Sequence, residues 1–114
     1  MADAAGLLAG LVSAHDELAD LEAGGIDEVR GLLLRINGLA RAARRACGAS
    51  QDLQLRGMAP LLDGYLGGYD FEAELGVMST LYAGDAGRIR GMRLKILEAL
   101  GEGGMVEEAR GITG

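Results

Sequence analysis

His15 is the side chain with the most versatile chemistry in this sequence, and it is the only histidine. A helical wheel that advances about 100° per residue places it among Leu8, Leu11 and Leu18 on an apolar helix face. Neutral imidazole is a common ligand of metals and haem, so one interpretation is a bundle that binds a small molecule or haem in an aliphatic pocket near His15. In that interpretation His15 orients the ligand, and tyrosine hydroxyls supply hydrogen bonds from Tyr65, Tyr69 and Tyr82.

The ligand set of a metal site is incomplete around His15. The chain has no second histidine and no pair of cysteines, and the residue three positions earlier, Val12, is not the glutamate that di-iron bundles use. We therefore predict no metal site. The simpler interpretation of His15 is a hydrogen-bonded packing residue, and haem binding is kept as the alternative.

Cys47 is the other side chain with nucleophilic chemistry. Arg44 and Arg45 precede it and would favour a thiolate, but the position lies near a predicted helix C-terminus, where the dipole disfavours negative charge. These effects oppose each other, so we predict an inert core thiol. The phosphate-binding loop, the zinc-protease motif and the nucleophile elbow are not found, which makes an enzyme the less favoured class.

Arginines are concentrated in the second predicted helix, where Arg30, Arg41 and Arg44 share one side. A stripe of this kind could bind an acidic partner through charge-assisted hydrogen bonds. The alternative is that these residues form surface ion pairs with neighbouring helices, worth about 0–1 kcal/mol each. We interpret a second cluster, Arg88, Arg90 and Arg93, in the same way.

Two long helices must position these side chains. Apolar residues recur at helical spacing from Leu7 to Leu21, which predicts a helix over about 4–23 that ends at the Gly24-Gly25 pair. Asp27 and Glu28 then place negative charge where the helix dipole favours it, in the first turn of a second helix predicted over about 26–47. The two helices should form a hairpin.

Shorter helices should follow the hairpin. Ser50 is the expected N-cap of a short segment, and Pro60 requires the chain to restart near Ala59, since proline fits only the first turn of a helix. Asp70 should cap a further helix, whose apolar face is Phe71, Leu75, Met78 and Tyr82. Asp85 should cap the helix after it, which carries Ile96 and Leu100 and ends at 101–104.

A short amphipathic segment closes the chain. Its apolar residues are Met105, Val106, Ala109 and Ile112. Because the segment is amphipathic, we expect Met105, Val106 and Ile112 to dock on a helix of a partner protein. The whole pattern predicts an all-α fold: a single domain over 1–114, built as a compact bundle of five to six helices. β-branched residues are too scarce and too irregular to form a sheet.

Twenty glycines are an unusual number for a helical chain. A glycine inside a helix costs about 0.5–1 kcal/mol relative to alanine. Pairs such as Gly31 with Gly38, and Gly57 with Gly64, recur at seven-residue intervals. Close helix packing is the favoured explanation, with composition bias and a ligand cavity as alternatives.

Charge and cysteine content narrow the classes of function. The formal net charge of −6 argues against nucleic-acid binding, which requires excess positive charge. The single cysteine allows no internal disulfide, and no apolar run approaches the roughly 20 residues that span a bilayer. We therefore expect a cytoplasmic protein that binds neither nucleic acid nor membranes.

The function expected from the sequence is that of a non-catalytic protein-protein interaction module. Such a protein could be an adaptor, a chaperone-like subunit, or a small phage or secretion accessory protein, acting through helical surfaces on a protein partner or by self-association. The ligand-binding bundle around His15 is the alternative. An engineered origin stays open, although designed helices are usually rich in lysine and Lys95 is the only lysine here.

Overall fold

Six helices make up most of the described chain. The structure is a computed structural model that describes residues 3–21, 26–67, 86–101 and 103–113, and the statements below concern these residues. The helices are α1 (Ala4–Asp20), α2 (Ile26–Gly48), α3 (Leu53–Arg56), α4 (Met58–Gly67), α5 (Ala86–Gly101) and α6 (Met105–Thr113). No strand occurs in the described ranges, and the all-α prediction is confirmed.

The hairpin of α1 and α2 is the largest helix–helix contact. Asp3 caps α1, and its carboxylate accepts a hydrogen bond of 2.6 Å from the backbone N–H of Gly6. α1 ends at Asp20, earlier than the predicted residue 23, because Leu21 already has an extended backbone with ψ 100°. α2 starts at residue 26 as predicted and continues to Gly48.

The break before Pro60 is confirmed, but its cap differs from the prediction. Asp52, not Ser50, is the N-cap of α3: its Oδ1 accepts hydrogen bonds from the backbone N–H groups of Gln54 and Leu55 at 2.9 and 3.4 Å. Ser50 lies two residues earlier, and its hydroxyl accepts a hydrogen bond from the backbone N–H of Asp52 at 3.1 Å. Pro60 is in the first turn of α4, where its missing N–H leaves no intrahelical bond unmade.

The predicted helix that follows Asp70, with Phe71, Leu75, Met78 and Tyr82, lies outside the described residues. α5 and α6 are both present. They are joined through Gly104, whose φ of 74° is in the left-handed region that glycine adopts without strain. Its N–H donates to the carbonyl oxygen of Gly101, and its own carbonyl accepts from Glu108, so Gly104 links the end of α5 to the start of α6.

One aliphatic core joins α1, α2, α4, α5 and α6. Each of these helices contributes to its largest fully buried side chains, which are Leu8, Leu11, Leu18, Val29, Leu33, Ile36, Met58, Leu62, Tyr65, Leu100 and Met105. The Cα radius of gyration is 14.3 Å, close to the roughly 13 Å of a compact domain of this length.

α6 belongs to this core rather than to a partner-binding surface. It packs against α1 and α4, and Met105 and Val106 are 0% and 8% exposed. These two residues, expected to dock on another protein, are therefore enclosed by the chain's own helices. Ile112 is half-buried and packs against the edge of the same core. The physical reason is that α6 is long enough, at nine residues, to bury an apolar face on the hairpin.

The environment of Arg93 also differs from the prediction, which placed this side chain among surface ion pairs. Its side chain is 9% exposed, and Nη1 donates to the backbone carbonyl oxygens of Leu18 and Ala19, each at 2.9 Å. A guanidinium from α5 thus binds the last turn of α1. The side chains of Arg88 and Arg90 lie outside the described part of the chain.

Three of the paired glycines have no close packing contact in the described part of the chain, whereas a Cβ atom built on Gly57 would lie 3.3 Å from the backbone oxygen of Leu53 on the adjacent short helix. A Cβ atom built on Gly31, Gly38 or Gly64 would meet no atom within 4 Å. By contrast, Gly10 faces the neighbouring helix, where its Cβ would lie 3.5 Å from Leu39 Cδ2. Because 3.5 Å is an ordinary van der Waals contact, alanine would also fit at Gly10, so close packing does not require glycine at Gly10, Gly31, Gly38 or Gly64.

Candidate functional site: a groove between α1 and α2

His15 and Tyr65, two of the predicted ligand-binding residues, lie together at the contact of α1 and α4. His15 Nδ1 is 3.3 Å from the Tyr65 hydroxyl, and the two rings are tilted by 49°. Which of the two groups donates depends on the histidine tautomer. Tyr65 is fully buried, and burial raises the pKa of its hydroxyl, which stays protonated. The pair matches the simpler interpretation of His15 as a hydrogen-bonded packing residue.

A bidentate ion pair lies next to this histidine. Arg110 of α6 donates from Nη1 to Asp16 Oδ2 at 2.8 Å and from Nη2 to Asp16 Oδ1. The hydrogen bond from Arg110 lowers the pKa of the Asp16 carboxyl. Burial lowers the pKa of His15 below its ordinary 6.5, with an opposing contribution from Asp16 and a further lowering from Arg110. These surroundings favour the neutral form of His15.

The other face of α1 forms a groove with α2. Residues at helical spacing from α1 and α2 line it, and they are Ala9, Val12, Ser13, Asp16, Glu17, Asp20 and Leu21, with Glu28, Gly31, Leu32 and Arg35. The groove has a volume of about 900 Å³ and is open to solvent. From Ala9 to Leu21 it follows α1 for about 18 Å, at roughly 1.5 Å per residue.

The floor and rim of this groove differ in chemistry. Val12 is 8% exposed, and Leu21 and Leu32 are half-buried, so the deepest lining side chains are apolar. The exposed lining residues Glu17, Asp20 and Glu28 provide carboxylates along the rim. The groove therefore presents an apolar strip bordered by negative charge.

Arg35 is the positive group of this rim. It donates from Nη2 to Glu17 Oε2 and so joins α2 to α1 across the groove. Both side chains are about half exposed, which limits the pair to about 0–1 kcal/mol of stability. The contact places one guanidinium on the carboxylate rim of the groove.

The three arginines predicted to bind a partner lie away from this groove. Arg30 and Arg41 are exposed, and Arg41 Nε donates to Asn37 Oδ1 at 3.1 Å on the same helix. Arg44 Nε donates to Asp63 Oδ1 of α4 at 2.6 Å. This last contact is the kind of surface pair that the sequence offered as the alternative. The structure does not bring the three arginines into one site.

Two further sequence predictions concern residues with reactive or ligating groups. Cys47 is buried, and its burial raises the pKa of the thiol, with Arg44 opposing, so the described geometry favours the neutral thiol. Tyr69 and Tyr82 lie outside the described residues. In the described ranges, no group of three or more His, Cys, Asp or Glu side chains is arranged to hold a metal ion.

Sequence reasoning did not identify the groove. The helical periodicity counted Leu21 among the apolar residues of the first helix and assigned no role to Ala9, Val12 or Ser13. The signal that could have revealed it is the row Ala9, Val12, Ser13, Asp16 and Asp20, where small and apolar residues interrupt the charged face at spacings of three and four.

Within the described ranges, the helices are too short or too polar to cross a membrane. A comparison of the chain with models of known protein families, with curated proteins and with solved structures found no match.

Proposed function

We propose that this protein is a non-catalytic interaction module that binds a partner protein in the groove between α1 and α2. The observation that carries the proposal is the groove itself: it follows α1 for about 18 Å between two antiparallel helices, and it has an apolar floor bordered by exposed carboxylates. A helix that enters such a groove completes a three-helix layer, which is a recurring mode of recognition. The encounter is expected in the cytoplasm.

The shape of the groove favours a macromolecular partner over a small molecule. Small-molecule pockets enclose roughly 70–90% of the ligand surface. This groove is open along its length, so it would cover one side of an occupant only. The exposed large apolar side chains elsewhere in the described chain, Leu34, Leu53 and Leu94, are scattered over three helices and form no comparable strip.

The haem-binding alternative has weaker geometric support. Since His15 Nδ1 faces the Tyr65 hydroxyl, an iron would require Nε2 or displacement of the tyrosine. Titrating haem into the wild-type protein and into His15→Ala tests this alternative. A Soret shift in the wild type that His15→Ala abolishes would favour haem over the groove proposal.

A photoreactive amino acid at Ser13 tests the interaction proposal. Ser13 is exposed and lines the groove, so a benzophenone side chain there should not disturb the core. The matched control is the same replacement at Gln54, which is exposed on α3 outside the groove. Irradiation in the producing cells should give a discrete adduct with one protein from Ser13 and none from Gln54. Identical adducts from both positions, or none from Ser13, would contradict the proposal.

A further inference from the structure

We infer that the occupant of the α1–α2 groove is a basic amphipathic helix of a partner protein. The inference rests on the proposed function and specifies its partner by chemistry. The partner helix must complement the groove in two ways, with apolar side chains against the floor and with lysine or arginine side chains against the rim.

The first match concerns the floor. Val12, Leu21 and Leu32 are the most buried apolar lining residues. Val12 and Leu21 lie about 2.5 helical turns apart along α1, and Leu32 contributes from α2. A helix that places apolar residues at spacings of three, four and seven can cover this strip with one face. An extended strand has no edge to pair with here, because both sides of the groove are helices whose backbone groups bond within the helix.

The second match concerns charge. Four carboxylates line the groove, Asp16, Glu17, Asp20 and Glu28, against the single cation Arg35. Asp16 is paired with Arg110, and Glu17 with Arg35. Asp20 and Glu28 have no ion-pair partner among the described residues. Cations from a partner would find acceptors there, whereas an acidic helix would meet repulsion along the whole rim.

The Arg35–Glu17 contact supplies an internal example of the proposed recognition. It places a guanidinium from one helix on a carboxylate of another, over the same groove. A partner arginine on the opposite side of the strip would make the same contact with Asp20 or Glu28. Recognition of this kind sets specificity and association rate, and it weakens as salt screens the charges.

Three display libraries of helical peptides test the inference on the full chain. All three carry the same randomised apolar positions, and they differ at the flanking positions, which hold Lys and Arg, Glu and Asp, or Ser and Gln. The basic library should yield the tightest binders, measured by fluorescence anisotropy. Asp20→Asn combined with Glu28→Gln should weaken them about tenfold at low salt. Glu98→Gln combined with Glu107→Gln makes the same change in net charge at exposed sites outside the groove and should leave affinity unchanged.

The other outcomes distinguish failure of the basic-helix inference from failure of the groove as a binding site. Equal affinity from the neutral library, or no effect of the groove double variant, overturns the basic occupant but leaves the groove as a binding site. No binder from any library, or binders that Ser13→Arg does not weaken, overturns both. Sedimentation equilibrium that shows a dimer dissociated by Ser13→Arg makes a second copy of this chain the occupant, which also overturns the basic-helix inference.

Discussion

Arg93 Nη1 lies 2.9 Å from the carbonyl oxygen of Leu18, so a side chain of α5 caps the last turn of α1. α1 has no basic residue of its own in that turn, and it carries Asp16, Glu17 and Asp20 nearby. Negative charge at a helix C-terminus is unfavourable, and the Arg93 guanidinium offsets it. The contact fixes the end of α1 on which the groove depends.

Replacing Arg93 with methionine should lower the free energy of unfolding by about 2 kcal/mol, because hydrogen bonds from a charged donor to two carbonyl oxygens are lost. Urea denaturation measures the change. Lys95→Met is the matched control, since Lys95 is exposed on the same helix, and it should change stability by less than about 0.5 kcal/mol. Equal effects of the two variants would show that the cap contributes nothing.

The lowered pKa of His15 predicts a pH-dependent contribution to stability. The folded state favours neutral imidazole, so the unfolded state binds more protons below pH 6.5. The contribution of His15 to the free energy of unfolding should be fully present above pH 6.5. It should be lost as the pH drops toward the pKa of His15 in the folded state. Asp16, whose pKa is lowered from 3.8 by Arg110, adds a separate loss below about pH 4.

Unfolding at pH 7.5 and pH 5.5, in wild type and in His15→Gln, measures the histidine contribution. As the pH falls from 7.5 to 5.5, the free energy of unfolding should decrease more in the wild type than in His15→Gln. NMR titration of the imidazole should give a midpoint below 6.5. A midpoint above 6.5 would mean that Asp16 outweighs burial, and the sign of the effect would be reversed.

Exposed glycines in helix interiors should limit stability. At Gly38 and Gly91, no atom lies within 4 Å of the position that an alanine methyl group would take, so alanine fits at both without a clash. Each replacement should stabilise the protein by about 0.5–1 kcal/mol. Gly104→Ala should act in the opposite direction, because φ is 74° there. Thermal unfolding of the three variants checks the signs, and a destabilising Gly38→Ala would indicate that this face is covered.

α6 should contribute to folding rather than act as a free docking tail. Met105→Ala removes a fully buried side chain and should cost about 2–5 kcal/mol. Ile112→Ala, at a half-buried position on the same helix, should cost clearly less. Chemical denaturation compares the two. Similar and small losses would mean that α6 detaches readily from α1 and α4.

Local patterns were sufficient to predict most of the described helices, while the predicted helix after Asp70 lies outside the described residues. The 3.6-residue periodicity of α1 and α2 indicated their buried faces, and Pro60 indicated the restart at α4. The end of α1 was missed by three residues because the Arg93 cap comes from 75 positions away in sequence. The α3 cap was assigned to Ser50 rather than Asp52 because both are good caps and only the backbone conformation decides between them.

The site was harder to predict than the fold. His15 and Tyr65 were proposed together as ligand-binding residues, and the structure places them in contact, although the contact itself fills the space between them. The groove depends on which face of α1 is left uncovered by α2, α5 and α6. Hydrophobic periodicity locates the buried face of a helix but not the shape that two neighbouring helices leave on the outside.

Amide chemical-shift mapping tests the central claim most directly. The full chain, labelled with ¹⁵N, is titrated with the tightest peptide from the basic library. Shifts should concentrate on residues 9–21 and 28–35, and Ser13→Arg should abolish them at the same peptide concentration. Shifts centred on Arg41 and Arg45, in the C-terminal half of α2, or on Leu62 and Tyr65 of α4 would contradict the assignment of the groove as the binding site.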